Sequence, residues 1–393
     1  MFNNFFIYMR INSKLSNMGT TIFTVMSQMA ADHNAINLSQ GYPDFDVPSP
    51  LLDLVEKYLR DGYNQYPPMI GIPYLREQIA FKIKRLYNVE LDPDSEITVT
   101  SGATEAIFVA IQAVISQGDE VIVFDPAYDS YDPSVTLAGG RTVHIPLSYP
   151  GFQIDFERLR DSINEKTKLI IINTPHNPCG STLPGDALDQ LAEVIRGTDI
   201  ALVADEVYEH MVFDGENHHT LLGHPELRQR SFVISSFGKT YHATGWKVAY
   251  CVASTQFSEE FRKVHQFVTF TTHTPSQWAL AEFMEFYPEH YLELPAFYQR
   301  KRDLFVLEML KSDFSMTPSA GTYFQLVDYS NISNIADTEF VRHLTSNIGV
   351  AAIPISVFYE SPPDFNIIRF CFAKTDDTLR AATRKLSSMK SVA

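Results

Sequence analysis

Between about Glu96 and Ser254 the chain alternates short apolar runs with amphipathic stretches of helical period. The runs that predict strands are 97–100, 121–124, 168–173, 200–204, 232–235 and 248–252, and the first helical stretch is 103–116. Short, continuously apolar strands separated by helices are typical of a mostly parallel sheet that is covered on both faces. We therefore predict an α/β fold for this region.

The pattern changes from about Leu292 onward. It predicts a long helix over 298–310, strands over 322–327 and 366–373, and a final helix. We interpret this part as a smaller α+β domain. The predicted organisation is an N-terminal segment that joins the small domain (1–45), a large domain (46–290) and a small C-terminal domain (291–393).

Composition narrows the function classes. The net charge of −16 argues against nucleic acid or anionic membrane as the main partner, because both require basic patches. No apolar run approaches the roughly 20 residues of a membrane span, and residues 1–9 lack the features of a signal peptide. Cys179, Cys251 and Cys371 show no C-x-x-C spacing, which favours a reducing cytoplasm and no structural zinc site.

Two of four motifs at predicted strand ends consist of small or polar residues. Ser101-Gly102-Ala103-Thr104-Glu105 leads from a strand into a helix, so its free N–H groups and the helix dipole suit a phosphate. An ordinary helix cap is the alternative interpretation. Asn177-Pro178-Cys179-Gly180 predicts a turn, which either has no further role or holds the Asn177 amide at the edge of the sheet.

The other two motifs carry charged side chains. Asp205-Glu206-Val207-Tyr208 follows strand 200–204, where a buried carboxylate needs a cation or takes part in a structural salt bridge. Ser235-Ser236-Phe237-Gly238-Lys239 follows strand 232–235, with Gly245-Trp246-Lys247 close behind. A lysine in a pocket at a strand end can lose its proton and act as a nucleophile, whereas most lysines are simply solvated.

Taken together, S-G-A-T-E, N-P-x-G, D-E-V-Y and S-x-x-G-K…G-W-K resemble the class I aminotransferases of the fold-type I pyridoxal-phosphate superfamily in their order and spacing. The resemblance extends from Gly41 to Arg369. It implies a seven-stranded, mostly parallel sheet in the large domain and an enzyme that transfers amino groups with pyridoxal 5′-phosphate. It implies no metal.

The resemblance also implies roles for the cofactor-site residues. Lys239 would carry the cofactor as a Schiff base and move a proton once released, and Asp205 would pair with the pyridine nitrogen. Tyr208 and Asn177 would hydrogen-bond the ring oxygen, and Tyr128 would stack on the ring. The residues implied around the phosphate are Ser101, Gly102, Ala103, Thr104, Ser236 and Lys247, the last at a position where the family often has arginine.

Further matches concern the substrate and a second subunit. Arg369, in the apolar run 366–373, matches an arginine that binds the substrate α-carboxylate. Gly41 matches a backbone position against that carboxylate. Tyr66 matches a tyrosine that reaches the phosphate from the neighbouring subunit, which implies a homodimer with shared active sites. The aromatic side chains that the resemblance places around the site are Phe23, Tyr42, Tyr66, Tyr128 and Phe270.

Longer stretches indicate a branch of the family. SSFGKTYHATGWKVAYCVA, LSQGYPDF and IRFCFAK look closest to the methionine and kynurenine (glutamine transaminase K) aminotransferases, and the bacterial methionine-type enzymes are the closer of the two. This implies that a large neutral or aromatic L-amino acid (methionine, phenylalanine, glutamine or kynurenine) donates its amino group to a 2-oxo acid.

Three other functions share this fold. A C–S β-lyase would use the same motifs. A non-enzymatic ligand-binding module is disfavoured because no N-terminal helix-turn-helix of adequate length is present and the charge is −16. An acyl-transferring synthase typically has histidine where this chain has Tyr208.

Overall fold

The structure, a computed structural model, describes residues 11–16 and 18–389, so residues 1–9, in which we expect no signal peptide, lie outside it. Its strands are β1 Ile36–Asn37, β2 Ile97–Thr100, β3 Glu120–Asp125, β4 Arg141–Pro146, β5 Thr167–Asn173, β6 Ala201–Asp205, β7 Ser231–Ser236, β8 Ala249–Val252, β9 Phe324–Asp328, β10 Val350–Ala351, β11 Ile353–Pro354 and β12 Ile367–Cys371. Its α-helices are α1 Ile22–Asp32, α2 Ser49–Arg60, α3 Pro73–Tyr87, α4 Ala103–Val114, α5 Tyr131–Ala138, α6 Phe156–Ser162, α7 Gly185–Ile195, α8 Pro225–Arg228, α9 Phe237–Thr240, α10 Thr255–Val268, α11 Thr274–Phe286, α12 Glu289–Met309, α13 Asp337–His343 and α14 Asp376–Ser387.

Seven strands form the large sheet, in the order β2-β8-β7-β6-β5-β3-β4. Of these seven strands, β8 alone runs opposite to the other six. One apolar core packs against α2, α3, α7 and α11, and the other against α4, α5 and α10. The prediction of a mostly parallel sheet covered by helices is therefore confirmed.

The predicted strand boundaries in this sheet are correct to within one residue at each end. The exception is β4, which the apolar pattern does not predict. As an edge strand it is only partly buried and carries Arg141 and His144 among its residues. Helix α4 ends at Val114, two residues before the predicted end.

A second unit is built on the three-stranded antiparallel sheet β11-β12-β9. Its core includes residues of α12, α13 and α14, and the parallel pair β1–β10 attaches the N-terminal part of the chain, with Ile36 opposite Val350. The exact boundaries at 45/46 and 290/291 stay a proposal.

Three predicted boundaries in this unit are wrong, and the end of β12 is one of them, since this strand ends at Cys371 and not at 373. The long helix starts at Glu289 instead of 298 and continues through Pro295. Tyr291 and Leu294 are buried on its first turns, and we attribute the early start to this packing, which compensates for the hydrogen bond that proline removes. Strand β9 starts at Phe324 and not at Thr322, because Thr322 has a φ of 64°, which is incompatible with an extended strand.

Candidate active site

Most of the predicted site residues line one cavity of about 470 Å³ at the carboxyl ends of β5, β6 and β7. The second unit and the N-terminal segment close it from the opposite side. The predicted residues that line it are Phe23, Gly41, Tyr42, Gly102, Ala103, Thr104, Tyr128, Asn177, Asp205, Tyr208, Ser236, Lys239, Lys247 and Arg369.

Three predicted residues do not line the cavity. The Ser101 hydroxyl lies 3.2 Å from the Thr269 hydroxyl. Tyr66 is 84% exposed, and its ring meets the ring of Phe270 edge-on at 5.6 Å. In the single chain Tyr66 and Phe270 therefore lie on the surface and do not reach the cavity.

Lys239 lies in the short helix α9, directly after β7. Its Nζ donates to the hydroxyl of Tyr323 at 2.8 Å and to the carbonyl of Gly41 at 3.2 Å. Burial lowers the pKa of the Lys239 amine to about 8. A substantial fraction of this amine is therefore neutral near physiological pH, which a nucleophile or proton acceptor requires.

Asp205 ends β6 and is buried. One carboxylate oxygen accepts a hydrogen bond from the Tyr131 hydroxyl at 2.7 Å, and the other accepts from the Val207 N–H at 3.4 Å. Burial raises the pKa of Asp205 to about 6. These donors are neutral, so the carboxylate favours a cationic partner inside the cavity.

The end of the cavity at α4 suits an anion. Gly102 caps this helix with a φ of 89° and makes no side-chain capping bond, which leaves the first N–H groups of the helix free. A Cβ at Gly102 would lie 2.9 Å from Cε and 3.1 Å from Nζ of Lys247. The helix N-terminus and the Lys247 ammonium thus lie side by side, with Ser236 in the same cavity.

Arg369 in β12 is fully buried opposite this sheet edge. Its guanidinium donates to the Asn177 side-chain oxygen at 2.8 Å and to the Ser39 carbonyl at 2.7 Å, and it lies 3.9 Å from the centre of the Phe324 ring. Burial lowers its pKa to about 10, so it stays charged at neutral pH. Two of its five N–H donors are used in these bonds, which leaves others for a carboxylate.

Three tyrosine or phenylalanine residues of the site were not predicted. Tyr131 follows Tyr128 by three residues in the same D-P-A-Y-D-S-Y stretch, so this spacing is the one available signal. Tyr323 and Phe324 lie near the start of region 322–327, which is predicted as an ordinary strand. Nothing in the pattern around them indicates that Tyr323 reaches Lys239 or that Phe324 covers Arg369.

A buried polar network supports the segment that carries Asp205 and Tyr208. Glu209 accepts from Lys82 at 2.6 Å and also from the hydroxyls of Ser235 and Tyr87. Although burial opposes ionisation, the nearby Lys82 ammonium keeps the pKa of Glu209 below its usual range. The network links α3 to the ends of β6 and β7, where Asp205 and Ser236 lie.

Within residues 11–16 and 18–389 there is no cluster of three or more histidine, cysteine or acidic side chains suited to a metal ion. Across the same part of the chain, no helix is both long and apolar enough to cross a membrane.

Residues 33–386 match the family model described as "Aminotransferase class I and II". Methionine aminotransferase of Escherichia coli K12 is 50% identical over 377 residues, which cover 96% of this chain and 98% of that protein. Human kynurenine–oxoglutarate transaminase 1 is 32% identical over 397 residues, covering 92% of this chain and 94% of the human protein.

A solved structure indicates the same family. The E. coli protein YbdL, for which a methionine aminotransferase function is described, superposes with a TM-score of 0.95 at 49% identity. The superposition covers 97% of this chain and 100% of the YbdL chain.

Proposed function

The chain belongs to the class I and II aminotransferases, and from that premise we propose that it transfers amino groups from large neutral or aromatic L-amino acids, with methionine foremost, to a 2-oxo acid. The resemblance predicted from the four motifs is confirmed, and so is the similarity to methionine and kynurenine aminotransferases. The enzyme is an aminotransferase; its donor class is our proposal.

The observation that carries this proposal is the set of cations in the cavity. Among the described residues that line it, these are Lys239, Lys247 and Arg369. Lys239 and Lys247 have roles on the cofactor side, so Arg369 alone is left for a substrate carboxylate. An aspartate donor would have to lose the hydration of its second carboxylate without a partner. The rings of Phe23 and Phe324 instead offer apolar surface to a neutral side chain.

The cavity also fits pyridoxal 5′-phosphate. An anion site at the start of α4 and an amine at Lys239 match the phosphate and the aldehyde. The buried carboxylate of Asp205, whose hydrogen-bond donors Tyr131 and Val207 are neutral, matches the pyridine nitrogen. The free N–H groups at the start of α4 and the close approach of the Lys247 side chain to Gly102 support this fit. When bound, the cofactor supplies an electron sink for the bonding electrons of the substrate Cα–H bond.

The residues of the chain divide the remaining work. Arg369, held by Asn177 and Ser39, binds the α-carboxylate and so orients the Cα–H bond. Lys239, as a free amine, takes the Cα proton and returns it. Asp205, ionised above about pH 6, keeps a proton on the pyridine nitrogen. With the cofactor bound, Tyr208 would donate a hydrogen bond to its ring oxygen. Burial raises the pKa of Tyr208, so the hydroxyl keeps its proton and remains a donor.

Two further proposals concern the assembly of the protein and its location in the cell. Tyr66 and Phe267 are 84% and 86% exposed, which is unusual for large aromatic side chains and supports burial against a second copy of the chain. In such a homodimer Tyr66 would reach the partner's phosphate site. The three cysteines are free and buried, which supports a reducing compartment such as the cytoplasm.

A panel of amino donors and 2-oxo acids, assayed on the purified protein, tests the proposal. We expect methionine, phenylalanine, glutamine and kynurenine to be donors when a 2-oxo acid is present. Release of ammonia and pyruvate from thioether amino acids without any 2-oxo acid would identify a C–S β-lyase instead. Bound cofactor without turnover of any amino acid would identify a binding module.

A further inference from the structure

The contacts of the Lys239 amine form a small, closed hydrogen-bond arrangement. Lys239 Nζ donates to Tyr323 Oη at 2.8 Å and to the Gly41 carbonyl at 3.2 Å. The Tyr323 hydroxyl in turn donates its own proton to the same Gly41 carbonyl in a short hydrogen bond. Because that proton is engaged with Gly41, the lone pairs of Tyr323 Oη are free to accept from Lys239.

This geometry determines the direction of the amine lone pair. A neutral amine has two N–H donors and one lone pair. The two acceptors, Tyr323 Oη and the Gly41 carbonyl, match the two N–H groups, so the lone pair has to lie on the other side of the nitrogen, away from both. Lys239 lines the cavity, and an amine held in this way keeps its basic electron pair free of both acceptors.

The backbone is strained where it places Tyr323. The preceding residue, Thr322, is β-branched yet has a φ of 64° and is completely buried. Such a conformation is unfavourable for a β-branched residue and persists only where the surroundings impose it, most often at functional sites. Here the Thr322 N–H donates to the Met211 carbonyl at 2.9 Å, which fixes the turn.

The chain also approaches closely at Gly41. A Cβ at this position would lie 2.7 Å from the Phe324 ring, so any larger residue would force either this ring or the Gly41 backbone to move. The Tyr323 ring is enclosed by the rings of Tyr208, Tyr298 and Phe324, with centroids 5.1, 5.7 and 4.9 Å away. The hydroxyl of Tyr323 is therefore fixed in position by packing on several sides.

We propose that Tyr323 is a further catalytic residue, which together with the Gly41 carbonyl holds the released amine of Lys239 with its lone pair toward the substrate Cα. This inference rests on the proposed function, since it assigns Tyr323 to the proton transfer of transamination. In that step the Cα–H bond breaks and an Nζ–H bond forms, and the electron pair stays with the substrate and cofactor. Tyr323 itself exchanges no proton, because burial raises its pKa well above the ordinary value.

Tyr323→Phe tests the proposal because it keeps the ring packing and removes only the hydroxyl. Tyr298→Phe is the matched control: Tyr298 is equally buried, its ring packs against Tyr323, and its hydroxyl contacts His242 Nδ1 at 3.1 Å. Both variants should show the secondary structure and melting behaviour of the parent protein.

The first measurement does not depend on turnover. Competitive acetylation of the cofactor-free protein across a pH series, read by mass spectrometry, gives the pKa of Lys239. Loss of an acceptor disfavours the charged amine, so Tyr323→Phe should lower this pKa by at least about half a unit. Tyr298→Phe should leave it unchanged. An unchanged value in Tyr323→Phe would mean that the hydroxyl does not hold the amine, and would overturn the proposal.

The second measurement is single-turnover kinetics with methionine deuterated at Cα. Tyr323→Phe should slow the half-reaction roughly 10- to 100-fold, raise the deuterium isotope effect and leave the methionine KM nearly constant. A rate and an isotope effect equal to those of Tyr298→Phe would reduce Tyr323 to a packing residue. If no donor reacts with the parent protein, the proposed function fails. The acetylation result would then still decide whether Tyr323 holds the Lys239 amine.

Discussion

The cavity has two walls that are built in different ways. The strand-end wall consists of Gly102–Thr104, Asp205, Ser236 and Lys239, which lie at the ends of β2, β6 and β7 or within four residues of them. The facing wall consists of Phe23, Gly41, Tyr323–Phe324 and Arg369, which come from distant parts of the chain.

The two walls also differ in chemistry. The strand-end wall carries the groups proposed to act on the cofactor. The facing wall carries the groups proposed to bind the substrate and to hold Lys239. Each residue of the strand-end wall is positioned by the strand beside it, whereas the position of the facing wall depends on how the smaller unit packs against the large sheet. If this division is real, substitutions in the strand-end wall should lower kcat, and substitutions of facing-wall residues that bind the substrate, such as Arg369, should raise KM. Tyr323 is the exception in the facing wall, because it contacts Lys239 and its loss should lower kcat.

The largest effect is expected for Lys239→Ala in the strand-end wall. Turnover should fall at least about a thousandfold, because no other group is placed to accept the Cα proton. The cofactor should remain bound through its phosphate and ring contacts. Borohydride reduction and peptide mapping of the parent protein should find the cofactor on Lys239. Lys168, which lies on the surface beside Asp199, is the control lysine, and attachment there would contradict the assignment.

Arg369→Ala in the facing wall should separate binding from chemistry. The KM for methionine should rise roughly 100-fold while kcat changes little, because the lost charge-assisted bonds stabilise substrate and transition state alike. The KM of Arg369→Lys should lie between those of the parent and of Arg369→Ala, since lysine keeps the charge but loses the bidentate geometry. Steady-state kinetics of the three proteins measure this. A fall in kcat with constant KM would erase the distinction between the walls.

Asp205→Asn should show that the strand-end wall lowers stability. The pKa of Asp205 rises from 3.8 to about 6 on burial. Between about pH 4 and pH 6 the folded protein therefore keeps a proton on Asp205 that the unfolded chain has lost. The stability that this proton contributes is present at low pH and disappears as the pH rises through about 6. At pH 8 the cofactor-free variant should be more stable than the parent by roughly 1–3 kcal/mol.

Urea unfolding at pH 8 and pH 4 measures this difference, which should shrink at the lower pH. Asp53→Asn on the exposed side of α2 is the control and should change little at either pH. A variant that is less stable than the parent at pH 8 would mean that the carboxylate contributes favourable contacts that outweigh its desolvation.

The smallest predicted effect concerns substrate choice by the facing wall. Methionine and aromatic amino acids should exceed aspartate in kcat/KM by at least about 10-fold, because the second carboxylate of aspartate has no partner there. Donor competition assays give this ratio directly. Faster turnover of aspartate would mean that a cation outside the described lining of the cavity, such as one from a second subunit, reaches the donor.

The success of prediction follows the same division. Three of the four motifs identified the residues of the strand-end wall because each of them lies at the end of a buried strand, and buried strands are evident from apolar runs alone. The same reasoning missed β4, whose edge position requires less apolar surface, and started α12 too late, because Pro295 reads as a helix breaker until its buried neighbours are known.

What the sequence by itself determined was the sheet, the residues at its strand ends and the family. These follow from local patterns, in which a residue and the element that positions it are adjacent in the chain. Only the tertiary structure revealed that Tyr131 donates to Asp205, that Tyr323 and Gly41 hold Lys239, and that Phe324 covers Arg369. Contacts between Gly41 and residues about 200 and 280 positions later in the chain leave no periodic signal, since they arise when the smaller unit packs against the sheet.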